Sequence, residues 1–242
     1  MRIALLSDIH GNLFALEAVL ALLERETIDQ IICLGDVALF GPQPGAALAR
    51  MQEVACPVVM GNTDGWALAP QPYTGDEEQS AIFNAIELWG AQQLTDGDRA
   101  YLRTFQATVE LALGDGMTLL CYHGSPRSYH DAIVATTPDT EIAALFGNEQ
   151  AQLLAGGHTH AQYVRRYRDK LLLNPGSVGL PYETLPSGLD RNPPWAEYAV
   201  IDCANGELDV ALRRAPYDIA PLLTTARASG MPHAAWWCKD WV

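Results

Sequence analysis

No apolar run in this chain approaches the ~18–20 residues that a membrane-spanning helix needs. The first apolar stretch, Ile3–Leu6, is broken at once by Ser7-Asp8-Ile9-His10. No signal peptide is therefore expected, and a first strand begins immediately. Cysteine is scarce. Cys33, Cys56, Cys121, Cys203 and Cys238 are odd in number and lack CxxC spacing, so they read as small core residues in a reducing cytoplasm. Basic residues are few as well. Fifteen Lys and Arg stand against twenty-nine Asp and Glu, a formal net charge of −14, which argues against an extended nucleic-acid surface. No repeat, low-complexity tract or linker interrupts the chain, and a single domain over residues 1–242 is expected.

What the chain does have is a set of polar donors placed at the ends of apolar runs. Apolar residues make up 49% of the sequence, ample for a large core. Arg2–Ser7 leads to Asp8 and His10, Gln30–Leu34 to Asp36, and Pro57–Met60 to Asn62. Met117–Tyr122 leads to His123, and Gln152–Ala155 to His158 and His160. Short apolar runs closed by Gly and Asp are the signal of buried strands, and open α/β sheets bind ligands beyond the carboxyl ends of their strands. Four of the six histidines fall in these blocks. All seven donors are oxygen or imidazole, which suits a pair of first-row divalent ions. Asp8/His10 and His158/His160 are each two residues apart. On an extended backbone each pair would leave on one face, to grip one ion or straddle two.

Between the blocks, helices are expected over Leu13–Glu26 (capped by Asn12), Pro44–Glu53, Asp76–Ala91, Thr95–Phe105 and Ile219–Ser229. Hairpins are expected for Thr108–Leu113 with Met117–Tyr122, for Tyr163–Tyr167 with Leu171–Leu173, and for Tyr198–Asp202 with Leu208–Arg213. The stretches Trp66–Ser80 and Leu180–Trp195 read as long loops bordering the site.

The order DxH, GD, GN-x-D, HG and GHTH, followed by NPGSVG at Asn174–Gly179, resembles the calcineurin-like metallophosphoesterase superfamily. The last motif points to its small bacterial and archaeal phosphodiesterase-like members. The resemblance spans roughly Met1 to Val210 and implies an α/β fold, a four-layer α-β-β-α sandwich of two mixed β-sheets flanked by helices. It also implies two metal ions: one held by Asp8, His10, Asp36 and His160, the other by Asp36, Asn62, His123 and His158, with Asp36 bridging. Asp36, Asn62 and His123 are the catalytic positions it marks, with a bridging hydroxide as nucleophile. Manganese is the expected metal, with iron, zinc, nickel or cobalt as alternatives. The chain departs from the pattern at Thr63, where many members carry a histidine thought to protonate the leaving group.

The expected activity is thus phosphodiester hydrolysis of a small phosphate ester, in the cytoplasm and away from membranes. A non-catalytic metal-binding interaction scaffold and a nuclease are the alternatives. Phe40 and Tyr182 are candidates to line the pocket, Arg127 and Arg191 to contact substrate, and His130 to replace the missing acid. Asp64 is expected to orient a neighbouring ligand as an acceptor. The aromatic tail Trp236–Trp241 is expected to pack back on the core or to cover a contact between copies in a homo-oligomer.

Overall fold

Strand β1 (Arg2–Leu6) is covered on both faces. Ile3 and Leu5 enter one apolar cluster and Ala4 and Leu6 another, as the strand period of two requires. The computed structural model describes residues 1–242. After β1 come α1 (Leu13–Leu23), β2 (Gln30–Cys33), α2 (Pro44–Val54), α3 (Asn62–Leu68), α4 (Glu77–Gln93) and α5 (Asp96–Leu102). Next are β3 (Val109–Gly114), β4 (Met117–Cys121), α6 (Asp139–Phe146), β5 (Leu153–Ala155), β6 (Tyr163–Tyr167) and β7 (Lys170–Asn174). The short β8 (Glu183–Thr184) and β9 (Asp190–Arg191) precede β10 (Trp195–Ala204), β11 (Glu207–Pro216), α7 (Ala220–Ala228) and α8 (Ala234–Trp237).

Two mixed sheets lie face to face, one of four strands in the order β11-β10-β1-β2 and one of five in the order β3-β4-β5-β7-β6. Their shared core joins Ile3, Leu5, Ile32 and Leu34 to Leu119, Cys121, Leu153 and Leu173. Burying each such Leu or Ile contributes about 1.5–3 kcal/mol. The outer face of the first sheet packs on α1, α2 and α5 through Leu16, Val19, Leu48, Met51 and Leu102. That of the second packs on α6 through Ile142, Leu145 and Phe146. These are the four layers that the family resemblance implies. All five cysteines are free, and no helix is long and apolar enough to cross a membrane.

Several local expectations differ from what forms. Pro57–Met60 is not a strand but an edge with isolated bridges from Val58 to Cys33 and from Val59 to Gln106, because Pro57 has no N–H to extend the ladder. The expected loop Trp66–Ser80 is shortened at both ends, by α3 and by α4. Gly65 within α3 obscured that helix, since glycine lowers helix propensity. In Leu180–Trp195 the loop carries the two-residue ladder β8–β9, and the expected helix Thr95–Phe105 ends at Leu102. Helices α6 and α8 went unread.

The parallel pairings β1–β2 and β4–β5–β7 bring several strand ends to one edge. The Asn174–Gly179 segment ties that edge together. Asn174 Nδ2 donates to the carbonyl of Gly157 at 2.7 Å, and Ser177 Oγ donates to the carbonyl of Asp8 at 2.7 Å. Gly179 N–H also donates to that Asp8 oxygen at 2.9 Å. Asn12, whose Oδ1 caps α1 by accepting from Ala15 N–H, donates its Nδ2 to the Gly179 carbonyl at 2.9 Å. A Cβ on Gly179 would fall 1.8 Å from the Ile9 carbonyl oxygen. Gly179→Ala is therefore expected to cost about 1–3 kcal/mol through overpacking, lowering Tm by several degrees in a thermal melt. An unchanged Tm would show that the clamp yields freely.

Candidate metal centre

The turns that carry the polar donors are not extended. Asp8, His10, Asp36, His158 and His160 have φ of +55°, +48°, +55°, +67° and +54°. The premise that strand-like spacing aims Asp8 and His10 is thus corrected: the backbone there is left-handed. That region is sparsely used by residues with a Cβ, and such strain persists only where the surroundings over-determine it. Here they do. Asp8 N–H donates to Gly35 O, His10 N–H to Asp36 O and Gly11 N–H to Val37 O, each at 2.9 Å. Asp64 accepts from the N–H groups of Asp36, Val37 and Gly61 at 2.7, 3.0 and 3.1 Å. It thereby fixes the turn that carries Asp36. Thr63 N–H donates to Asp36 Oδ1 at 2.8 Å, orienting the carboxylate.

The donors converge in two groups, Asp8/His10/His160 and Asp36/His123/His158, with ligating atoms in each lying within 4.8 Å of one another. Asp8 and His10 therefore share one group, whereas His158 and His160 are divided between the two. Asp36 Oδ2 lies 3.4 Å from His123 Nε2 and 3.8 Å from His10 Nε2, so it faces both.

Tautomers test whether these residues fit a cation. The Nδ1 atoms of His10, His123 and His160 lie 2.9, 2.7 and 2.8 Å from the carbonyls of Leu39, Leu34 and Leu180. A carbonyl oxygen only accepts, so each Nδ1 carries a proton and each neutral ring presents a lone pair at Nε2. His10 Nε2 and His160 Nε2 then face each other at 3.1 Å. Two lone pairs at that distance require a proton or a cation beside them. The buried Asp8 Oδ1 has no aligned hydrogen-bond partner. Asn62 Oδ1 sits 3.0 Å from His123 Nε2, again acceptor to acceptor. With its oxygen and nitrogen exchanged, the amide would share its two N–H groups among Asp36, His123 and His158. With a cation, the oxygen is the ligating atom. The donor set fits divalent metal.

Electrostatics agree. Burial disfavours charge on Asp8, but the imidazoles of His160 and His123 outweigh it and hold the carboxyl below its ordinary range. Burial is overcome in the same sense at Asp36, chiefly by His123 and His10. Burial lowers His10, with His160 adding to it, and lowers His158, with His123 adding to it. At His123 burial opposes charge but Asp36 prevails, raising it to about 9. At His160 burial is outweighed by Asp8, and that group is raised as well. Lacking cations, the cluster balances its carboxylates with imidazole protons, which a bound metal displaces. Burial and the charge of Asp36 push Asp64 up to about 7.

Beside the cluster opens a cavity of about 400 Å³. Phe40 and Tyr182 line it, as does Thr63, whose buried Oγ1 has no partner. Arg127 and Arg191 do not. Arg127 is paired with Asp131 at 3.0 Å and borders a separate depression with His123 and His130. Arg191 is paired with Glu183 at 2.6 Å across the β8–β9 ladder. His130 is exposed and outside the cavity. Sequence reasoning missed Tyr73, Phe83, Glu87, Asn192, Trp236 and Asp240, which line it together with Leu180 and Trp237. Glu87 had a faint signal: it lies four residues after Phe83, on the buried face of α4 with Ile86.

Residues 1–206 match the family model of the calcineurin-like phosphoesterase superfamily domain. The chain is 28% identical over 232 residues to an uncharacterized protein of Methanocaldococcus jannaschii, covering 90% of this chain and 88% of that one. Its structure is similar to a metallophosphoesterase from Sphaerobacter thermophilus at 27% identity and a TM-score of 0.74, over 99% of this chain and 97% of the other. A hypothetical protein from Pyrococcus horikoshii shares the fold at 20% identity and a TM-score of 0.80, over 96% of this chain and 94% of its own. The chain belongs to the calcineurin-like phosphoesterase superfamily, and its domain is that of a metal-dependent phosphoester hydrolase.

Proposed function

We propose that this chain is a phosphodiesterase acting on a small phosphate ester with two divalent ions, manganese first among them. Asp8, His10 and His160 would hold one ion, and Asn62, His123 and His158 the other, with Asp36 shared. The observation that carries this reading is the pair of converging lone-pair clusters with Asp36 between them. When bound, such ions supply charge against the phosphoryl oxygens and a water acidified toward a pKa of ~7.

The chain's own residues do the rest. Thr63 N–H and the turn fixed by Asp64 hold Asp36 in place. The backbone carbonyls of Leu39, Leu34 and Leu180 fix three imidazoles as Nε2 donors. Thr63 cannot protonate a leaving group, because its hydroxyl holds its proton too tightly near neutrality. A general acid typically contributes ~10²–10⁴-fold. A nuclease reading loses support because no Lys or Arg lines the cavity. A scaffold that has lost its ligands is disfavoured by the presence of all seven donors.

Hydrolysis of an aryl phosphodiester by metal-stripped protein is expected to be negligible, to return with added Mn²⁺, and to exceed that of the matching monoester. Two bound ions without turnover of either ester would favour the scaffold. Aryl diesters should outpace alkyl diesters by at least about 10²-fold; comparable kcat on an unactivated alkyl ester would mean that another group supplies the proton. Asp36→Asn is expected to lower kcat/KM by more than the ~10–100-fold typical of residues that only orient ligands. Near-normal turnover in that variant would rule out a shared carboxylate.

A further inference from the structure

The cavity beside the cluster has walls of two kinds, and no lysine or arginine lines it. One wall is aromatic. Phe40 meets Phe83 edge to face at 4.9 Å between centroids, and Phe83 meets Trp236 at 5.8 Å. This wall is preformed. Phe40 sits at φ +76°, unusual for a bulky residue, and the Trp237 indole N–H donates to its carbonyl oxygen at 2.7 Å. The tail that carries both tryptophans is itself anchored, because Asn192 N–H donates to Asp240 O at 2.7 Å and Val242 N–H to Asn192 O at 3.2 Å.

The other wall carries carboxyls. Glu87 is 3% exposed, and its Oε2 accepts from the Tyr73 hydroxyl at 2.9 Å. The carboxyl makes no other hydrogen bond within the protein, and Glu87 lines the cavity. Burial pushes Glu87 up to about 8, in keeping with the lack of a basic partner. Asp240 stands at the rim, and the nearest ammonium, Lys239, lies outside the lining, 3.9 Å from Asp240 and 5.2 Å from the Trp236 ring centroid. Two divalent ions set against Asp8 and Asp36 leave about two positive charges, enough for one phosphodiester and an attacking hydroxide. A second phosphate would lie among rings and carboxyls with no counter-charge, an uncompensated burial. The Glu87 carboxyl and Asp240 instead suit uncharged N–H or O–H groups, and the rings a planar face. The cavity volume of about 400 Å³ suits a group the size of a nucleoside.

We propose that this cavity selects esters bearing a single phosphate joined to an uncharged planar ring system with N–H or O–H donors, and that Phe83, Trp236 and Glu87 determine that selection. The proposal rests on the phosphodiesterase reading above and narrows its substrate.

The test compares esters that share one leaving group. Metal-loaded protein is given thymidine 5′-(p-nitrophenyl) phosphate, methyl p-nitrophenyl phosphate, and the p-nitrophenyl ester of thymidine 5′-diphosphate. The first should exceed the second in kcat/KM by roughly 5- to 150-fold, the range of base–aromatic stacking, mostly through KM. Trp236→Ala and Phe83→Ala should shrink that ratio toward one, while Trp236→Phe, which keeps a ring, should retain most of it. The diphosphate ester should trail the monophosphate at least about 10-fold, since no basic residue lines the cavity to offset its second charge. Glu87→Leu should narrow the nucleoside-to-methyl ratio, while Glu87→Gln, which keeps an uncharged hydrogen-bonding group, retains it. Calorimetric titration with thymidine, independent of turnover, should show binding that Trp236→Ala weakens at least about 5-fold. Equal kcat/KM for the nucleoside and methyl esters, or a preference that survives both alanine variants, would overturn the proposal and leave the phosphodiesterase reading standing. If neither ester is hydrolysed, that reading fails, and the thymidine titration alone decides on the pocket: no binding, or binding indifferent to Trp236→Ala, rejects it.

Discussion

Imidazole lone pairs held against one another are the constraint around which this protein is built. His10 and His160 approach to 3.1 Å at Nε2, and each ring is fixed from behind by a backbone carbonyl. Such an arrangement is unfavourable unless positive charge lies beside it, so it survives only on a rigid frame. The frame is visible in the backbone. Five of the seven polar donors sit in left-handed turns; those of Asp8, His10 and Asp36 are laced together by backbone hydrogen bonds, and His158 N–H is held by the Asp8 carboxylate. The cost of those conformations, about 1–3 kcal/mol each, is offset by the large apolar core between the sheets.

The Asn174–Gly179 segment shows how a motif without ligands can matter as much as those with them. It contributes no donor to the cluster, yet it bonds the carbonyl of Asp8 twice and the carbonyl of Gly157 once. The first and last donor turns, some 150 residues apart in the chain, are thereby set side by side. Asp64 plays the same part for Asp36. Positioning here is done by hydrogen bonds to the backbone of the turns, from Asn174, Ser177 and Asp64 among others, and the candidate ligands ride on those turns.

The cavity has a different origin from the cluster. Its floor comes from the turns after strand ends, but its walls come from α4, from the loop before it, and from a C-terminal tail that folds back against Phe40. A shared family core of this kind fixes the chemistry of phosphate, while elements outside the two sheets shape what accompanies the phosphate. Charge follows the same division: the cluster is built to receive cations, and the walls around it carry carboxyls and rings.

The sequence by itself marked the buried strands and the candidate donors at their ends, while the four layers were implied by the family resemblance. Apolar runs of four to six residues, each ended by Gly, Asp or His, identify buried strands and what they deliver, because a strand's burial is written in local periodicity. Hairpins such as the one turning at Asn205-Gly206 were legible for the same reason. Only the tertiary structure decided which donors share a group, dividing His158 from His160 although they are neighbours in sequence. It also decided that Arg127 and Arg191 are occupied by Asp131 and Glu183, and that Glu87 and Trp236 face the site. Those outcomes depend on left-handed turns and on contacts between segments more than a hundred residues apart, such as Phe40 with Trp237. Local periodicity carries no record of such contacts, because they arise only when the layers pack.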